Sequence, residues 1–249
     1  GMTDFPVHIK LDTGMHRLGF MTEELAELMD FMKECKAVKI KSIYSHLAAS
    51  DDPLCDEFTL GQIELFQKNA DALSESLGYK PMYHVLNSAG IERFTQYQFD
   101  MVRLGIGIYG VSAIPGNKLA PVASFKCKVL QVKTLRPEDG TIGYGRHGKI
   151  APEGIVIATT PVGYADGVDR HLSRGTGRFM INGHKVPTIG NICMDMCMLD
   201  VTGLDVKVGD TVTIFGEDPT ITDLAEILGT IPYEILTSVP RRIERIIVK

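Results

Sequence analysis

Through roughly its first 110 residues the chain alternates short β-branched runs with helix-length amphipathic stripes, and after Pro115 the helical stripes all but stop. That change of texture constrains the fold more than any other feature. Val7–Leu11 reads as a strand. Thr22–Cys35 carries Leu25, Leu28, Met29 and Met32 at helical spacing, with Glu23 and Glu24 in the favourable first turn. Val38–Tyr44 is a second strand. Thr59 and Gln62 form a capping box for a helix with Ile63, Phe66, Leu73 and Leu77 inside, closed by Gly78. Met82–Leu86, a short helix at Ser88–Arg93 and an apolar run at Met101–Tyr109 follow. Strands that alternate with helices pair in parallel.

The second half reads differently. Ser124–Thr134, Ile155–Val162, Arg178–Ile181, Cys197–Asp200 and Thr211–Phe215 are short runs rich in Val, Ile and Thr, punctuated by Gly, Pro and Asp. One helical pattern returns at Thr222–Leu228, followed by Tyr233–Val239 and a closing strand over Arg242–Val248. This predicts an α/β part, residues 1–113, and a mostly β part, residues 114–249, joined near Pro115-Gly116-Asn117. A closed (β/α)8 barrel takes about 250 residues. The first part, with about four strands, is therefore either a small open sheet or a portion of a larger barrel.

Composition narrows the function classes. The 249 residues are 44% hydrophobic and 23% charged with a formal charge of −5, as in an ordinary globular chain. No lysine/arginine cluster marks a nucleic-acid partner. No apolar run approaches the ~18 residues of a membrane helix, and the N-terminus lacks the basic-then-apolar order of a signal peptide. Gly1-Met2 reads as an expression remnant. Five cysteines, an odd number in a long chain, point to reduced thiols and a cytoplasmic setting. Cys193 and Cys197 lack a second pair to complete a zinc site, so no metal is expected.

Candidate chemistry lies in the loops after the strands, where βα units carry function. The first loop holds Asp12-Thr13-Gly14-Met15-His16-Arg17; the second, His46 with Asp51 and Asp52; the third, Asn87-Ser88-Ala89-Gly90. Arg103 is followed by Gly105-Ile106-Gly107. Small residues and backbone donors beside two arginines predict an anionic, phosphorylated ligand. Each residue also has a plain structural reading. Ser88 serves as a helix N-cap, Arg17 and Arg103 as surface ion pairs, and His46 as a satisfied structural histidine. A metal site from His46, Asp51 and His84 matches no ligand spacing. Gly143-Tyr144-Gly145 reads as a bulge with a packed tyrosine, and Gly163–Gly167 as a hairpin turn.

Taken in order, six motifs carry a more specific signal. They are Lys10-Leu-Asp-Thr-Gly-Met-His-Arg17-Leu-Gly, Asn87-Ser88-Ala, Val102-Arg103-Leu-Gly-Ile-Gly-Ile-Tyr-Gly, Gly143-Tyr144-Gly, Gly163-Tyr164-Ala-Asp-Gly and Gly190-Asn-Ile-Cys-Met194-Asp195-Met. Together they resemble the alanine racemase family over essentially the whole chain. The resemblance implies a partial (β/α)8 TIM-type barrel that binds pyridoxal phosphate, followed by a mostly β domain, in a homodimer. It implies interconversion of L- and D-alanine for peptidoglycan. It makes Tyr144 the catalytic tyrosine, reaching the partner subunit's active site. Ser88, Gly105 and Ile106 become phosphate-binding positions, Arg103 faces the pyridine nitrogen, and His46 lies in the hydrogen-bond network behind the tyrosine. Arg17 serves both cofactor and substrate carboxylate, and Lys10 is a candidate for carbamylation. Tyr164, Met194 and Asp195 line the substrate entrance.

Two departures from the family pattern stand out. The family's tyrosine near the C-terminus is replaced at about Arg241. The Lys-Ala-Asn-Ala-Tyr-Gly-like motif that carries the cofactor lysine is absent, so the isolated chain is expected to be inactive. A segment of a fusion with a cell-wall precursor ligase is one origin for such a chain. The alternatives are a broad-specificity pyridoxal racemase and a non-catalytic dimerisation module that covers open barrel edges. The Cys-Glu-Ser-like motif of decarboxylases of similar architecture is absent.

Overall fold

A computed structural model describes residues 3–248; Gly1, Met2 and Lys249 lie outside the described residues. The chain divides into two compact units between Ala120 and Pro121.

The first unit is a three-stranded parallel sheet, β1 (Phe5–Lys10), β2 (Val38–Tyr44) and β3 (Met82–His84), in that order. Helices α1 (Leu25–Glu34) and α2 (Asp56–Leu77) follow β1 and β2, and α3 (Ser88–Arg93) follows β3. Their apolar stripes meet one sheet face: Leu25 and Leu28, then Ile63, Phe66, Ala70 and Leu73, pack with Ile40, Ile43 and Tyr83. Val7 and Ile9 of β1 join from the same side.

The opposite face is polar, and a slip in the sheet register makes it so. Val7 pairs with Ile40, but His8 pairs with Ser42, which leaves Lys41 as an extra residue in β2. Because strand side chains alternate with period two, one extra residue inverts the facing of everything beyond it. Ile40 and Ile43 therefore both reach the helices. Ser42 meets His8 and His84 on the other side, and Tyr44 stacks on His84.

Three expectations are corrected here. The Thr59/Gln62 box does not open α2. The helix starts at Asp56, after a 3₁₀ turn at Pro53–Cys55 whose cap is Asp52, accepting from Leu54 N–H at 2.9 Å. Asp52 wins because a cap must sit at the end of the helix with its oxygen facing free amides; Thr59 lies inside, its hydroxyl buried and unpartnered. The run at Met101–Tyr109 forms no strand. Asp100 and Arg103 amides donate to Tyr83 and Leu86 carbonyls as a fourth strand would begin, then Gly105 diverts the chain into a 3₁₀ turn at Ile106–Tyr109. The closing strand at Arg242–Val248 is also absent. Arg245 bonds back to the carbonyls of Val239, Pro240 and Ile243, and Ile246–Val248 stay exposed, with no strand pairing to them among the described residues.

The second unit is an antiparallel seven-stranded sheet in the order β4-β12-β9-β10-β11-β8-β5. Its strands are β4 (Phe125–Lys128), β5 (Gln131–Leu135), β8 (Ile155–Thr160), β9 (Arg178–Ile181), β10 (His184–Ile189), β11 (Cys197–Asp200) and β12 (Thr211–Phe215). A separate hairpin pairs β6 (Thr141–Ile142) with β7 (Gly148–Lys149). The single run expected over Ser124–Thr134 is two strands at opposite edges of the sheet. β10 escapes the sequence pattern because it opens on His184 and Lys185 and contains Pro187. Helices α4 (Ile221–Leu228) and α5 (Pro232–Ser238) close the unit.

Phe66 is fully buried and meets Tyr83 and Phe99 edge-on, with centroids 5.8 and 5.6 Å away. Phe66→Ala is expected to lower the stability of the first unit by roughly 3–5 kcal/mol, read as a lower denaturant midpoint. A change under about 1 kcal/mol would place this ring outside the core.

Candidate active site

The strand-end loops of the first unit are tied together before any ligand is considered. Asp12 accepts from the amides of Gly14 and His16, both at 3.0 Å, and curls the first loop. Gly19 is needed to close it: with φ of +121°, a Cβ there would lie 2.8 Å from the Asp12 nitrogen. Gln62 accepts from Ala48 N–H at 2.9 Å and donates to the His46 carbonyl at 3.3 Å. This side chain thus braces the second loop.

Arg103 lies between the ends of β2 and β3. Its Nη1 is 2.5 Å from His84 Nδ1 and donates to the His84 carbonyl at 3.1 Å. Nη2 donates to the Ser45 and Val85 carbonyls at 2.6 and 3.3 Å and lies 3.5 Å from His46 Nδ1. The guanidinium also sits 5.3 Å from the centroid of the Tyr44 ring. With both Nη groups committed, Nε–H is the donor left for a ligand. The surface ion-pair reading of Arg103 is overturned, since no carboxylate pairs with it among the described residues. Arg17 is exposed and likewise unpaired among the described residues.

Positive charge gathers here. Burial, then the charges of Arg103, Arg17 and Lys10, hold His46 below the usual histidine range. Burial and the Arg17 charge lower Lys10 despite the opposing pull of Asp12. Burial and the Arg103 charge bring His84 down to about 4. Both histidines are thus neutral near pH 7. Among the described residues no three His, Cys, Asp or Glu side chains gather as a metal site requires.

Ser88 is not the helix cap. Asn87 caps α3, accepting from Gly90 N–H at 2.9 Å. Ser88, freed from that role, accepts instead from the amides of Gly105 at 2.8 Å and Gly107 at 3.2 Å. With its oxygen accepting from both amides, the Ser88 hydroxyl keeps its own proton to donate to an anion.

In the second unit Tyr144 stands on a 3₁₀ turn between Gly143 and Gly145, at φ of +73° and +68°. It is 72% exposed rather than packed as a bulge residue. Asn191 Nδ2 holds its carbonyl at 2.9 Å, while Arg174 Nε anchors Asn191 at 2.8 Å. Gly163–Gly167 is a 3₁₀ turn over Tyr164–Asp166, not a hairpin. The amides of Tyr164 and Ala165 donate to the carbonyls of Cys193 and Met194, both at 3.0 Å. A Cβ on Gly163 would fall 2.2 Å from the Cys193 oxygen, so only glycine permits this approach. Tyr164, Met194 and Asp195 are thereby held on neighbouring loops, all exposed. Buried Asp166 accepts from Gly163 N–H and pairs with Arg242 at 2.7 Å.

Sequence reading missed Tyr44, named Asn87 and Asn191 only as members of motifs, missed the supporting role of Gln62, and weighed His84 only as a metal ligand. The available signal was the placement of Ser42, Tyr44 and His84 as polar residues in or beside apolar runs. Folding depresses the His84 pKa, so its contribution to stability is complete above the unfolded value near 6.5 and declines as pH falls toward about 4. The expected loss is up to about 3 kcal/mol, read as the pH dependence of unfolding; His84→Gln should flatten that part of the curve.

Known proteins place this geometry. The family model for the alanine racemase N-terminal domain matches residues 2–113, and that for the C-terminal domain residues 122–247. The chain is 39% identical to alanine racemase 1 of Clostridium acetobutylicum over 98% of its own length and 65% of that protein's. It is 41% identical to alanine racemase of Chlorobaculum tepidum, over 97% and 63%. The crystal structure of the Bacillus anthracis enzyme with bound L-Ala-P is similar at a TM-score of 0.85 and 31% identity, over 95% of this chain and 63% of that one. The Bartonella henselae enzyme with covalently bound pyridoxal phosphate gives 0.80 and 34%, over 98% and 66%. The chain thus spans just under two thirds of the length of these relatives, and with both of its halves matched in order it belongs to the alanine racemase family.

Proposed function

We propose that this chain carries the cofactor-anchoring and one proton-transferring part of an enzyme that interconverts L- and D-alanine with pyridoxal phosphate. The observation that carries the reading is Arg103, with both Nη groups held by the protein and Nε–H left to donate, two residues before Gly105, whose amide donates to Ser88. The residues fit the cofactor. The Ser88 hydroxyl and the Gly105 and Ile106 backbone would hold its phosphate, and Arg103 would donate to its ring nitrogen. Bound there, pyridoxal phosphate supplies an electron sink that acidifies the substrate α-proton. A permanently charged arginine at the ring nitrogen disfavours protonation of that nitrogen and so restrains side reactions.

Tyr144 takes or returns the α-proton on one face of the substrate. Its exposure suits a group that serves a site completed by a partner subunit, in a homodimer. His46, kept neutral, can share a hydrogen bond with the phenol that a cation could only donate to. Arg17 orients the substrate carboxylate. Lys10, lowered by burial and Arg17, is the more readily carbamylated because the neutral amine is the reactive form. Tyr164, Met194 and Asp195 line the entrance. The second proton-transferring group is a lysine in a motif this sequence lacks, so the chain alone is expected to be inactive. In the cytoplasm, the full activity would supply D-alanine for peptidoglycan.

Added pyridoxal phosphate is expected to bind the chain non-covalently, with no borohydride-reducible absorbance band; such a band would overturn the inactivity. Arg103→Ala should weaken that binding roughly tenfold to a hundredfold, and Ser88→Ala about tenfold. Titration of each variant by cofactor fluorescence reads this, and unchanged affinity in both would remove the cofactor from this site.

A further inference from the structure

The register slip that puts His8 opposite Ser42 lies in a parallel pair, where bulges are rare, and bulges re-aim the side chains beyond them. Here the slip completes a chain of contacts across all three strands. His8 Nδ1 is 2.5 Å from Ser42 Oγ, which is 2.9 Å from His84 Nε2, and His84 Nδ1 is 2.5 Å from Arg103 Nη1. Ser42 is fully buried and His84 is 4% exposed.

The polarity of this chain is determined from one end. Arginine only donates, so His84 Nδ1 must accept, and the ring carries its proton on Nε2. Ser42 Oγ accepts that proton, which directs its own O–H to His8 Nδ1. Without an acceptor at Ser42, the buried Nε2–H would be unsatisfied, and a ring flip or tautomer exchange would set an N–H against the guanidinium. We propose that Ser42 and His8 are positioning residues for Arg103: they hold His84 as the Nε2–H tautomer, so that its Nδ1 remains an acceptor for the guanidinium. The inference rests on reading Arg103 as the ligand-facing group.

The test is ¹⁵N NMR of the imidazoles in the full chain near pH 7, without added cofactor. The native protein is expected to show His84 with a bare Nδ1 and a protonated, slowly exchanging Nε2. In Ser42→Ala that proton should exchange with water about tenfold faster, and Ser42→Thr, which restores the hydroxyl, should restore slow exchange. A role for Ser42 in packing alone would leave the imidazole signals of the alanine variant unmoved. A native His84 protonated on Nδ1, or an alanine variant with unchanged exchange, overturns the proposal. The native measurement decides the tautomer even where a variant fails to fold. A relay present in a chain that takes up no pyridoxal phosphate would uphold the relay and sink the reading of the site.

Discussion

A guanidinium cannot shed its proton, so partly burying Arg103 obliges the surrounding chain to supply acceptors. They come from the ends of two strands and the loop beyond: the carbonyls of Ser45, His84 and Val85, and the ring nitrogen of His84. The polar layout of the first unit follows from this requirement. His84 must be neutral to accept, which the arginine's own charge favours. His46 and Lys10 are pushed toward their neutral forms by burial first, then by neighbouring cations, chiefly Arg103 for His46 and Arg17 for Lys10. Burial is the larger cause in each case, and the guanidinium charge acts in the same direction.

The second unit solves a different problem, presenting side chains outward from an antiparallel sheet. It does so by bringing two loops together backbone to backbone. The bare Gly163 admits the carbonyls of Cys193 and Met194, and Asp166 braces the turn from beneath. Tyr164, Met194 and Asp195 are then displayed, exposed, by loops held to each other through their backbones. Tyr144 is set in a similar way, between two glycines at positive φ with its carbonyl held by Asn191.

Much of this was legible in the sequence where the signal is local. The α1, α2 and α4 stripes, the strands at Val38–Tyr44, Arg178–Ile181, Cys197–Asp200 and Thr211–Phe215, and the cap at Gly78 follow from periodicity and residue type. The failures share a physical cause. Thr59 and Gln62 fit a capping motif, yet a cap exists only where the helix ends, and Asp52 ends it earlier. Arg242–Val248 has strand composition but no strand to pair with among the described residues. Pro187 disguises a central strand: it pairs with Arg178 of β9 and lies one residue short of the β11 ladder, which begins at Thr188.

The chain's order of residues determined by itself that a parallel α/β part precedes an antiparallel β part, and that Arg17, Ser88, Arg103, Tyr144, Tyr164, Met194 and Asp195 belong to one family pattern. Only the tertiary structure decided that Asn87 rather than Ser88 caps α3, and that Ser42 and His8 stand behind His84. Those outcomes depend on which hydrogen-bonding groups are left unsatisfied once strands pair, and on a one-residue slip between β1 and β2. Both are set by cross-strand register, which neighbouring residues in sequence do not encode.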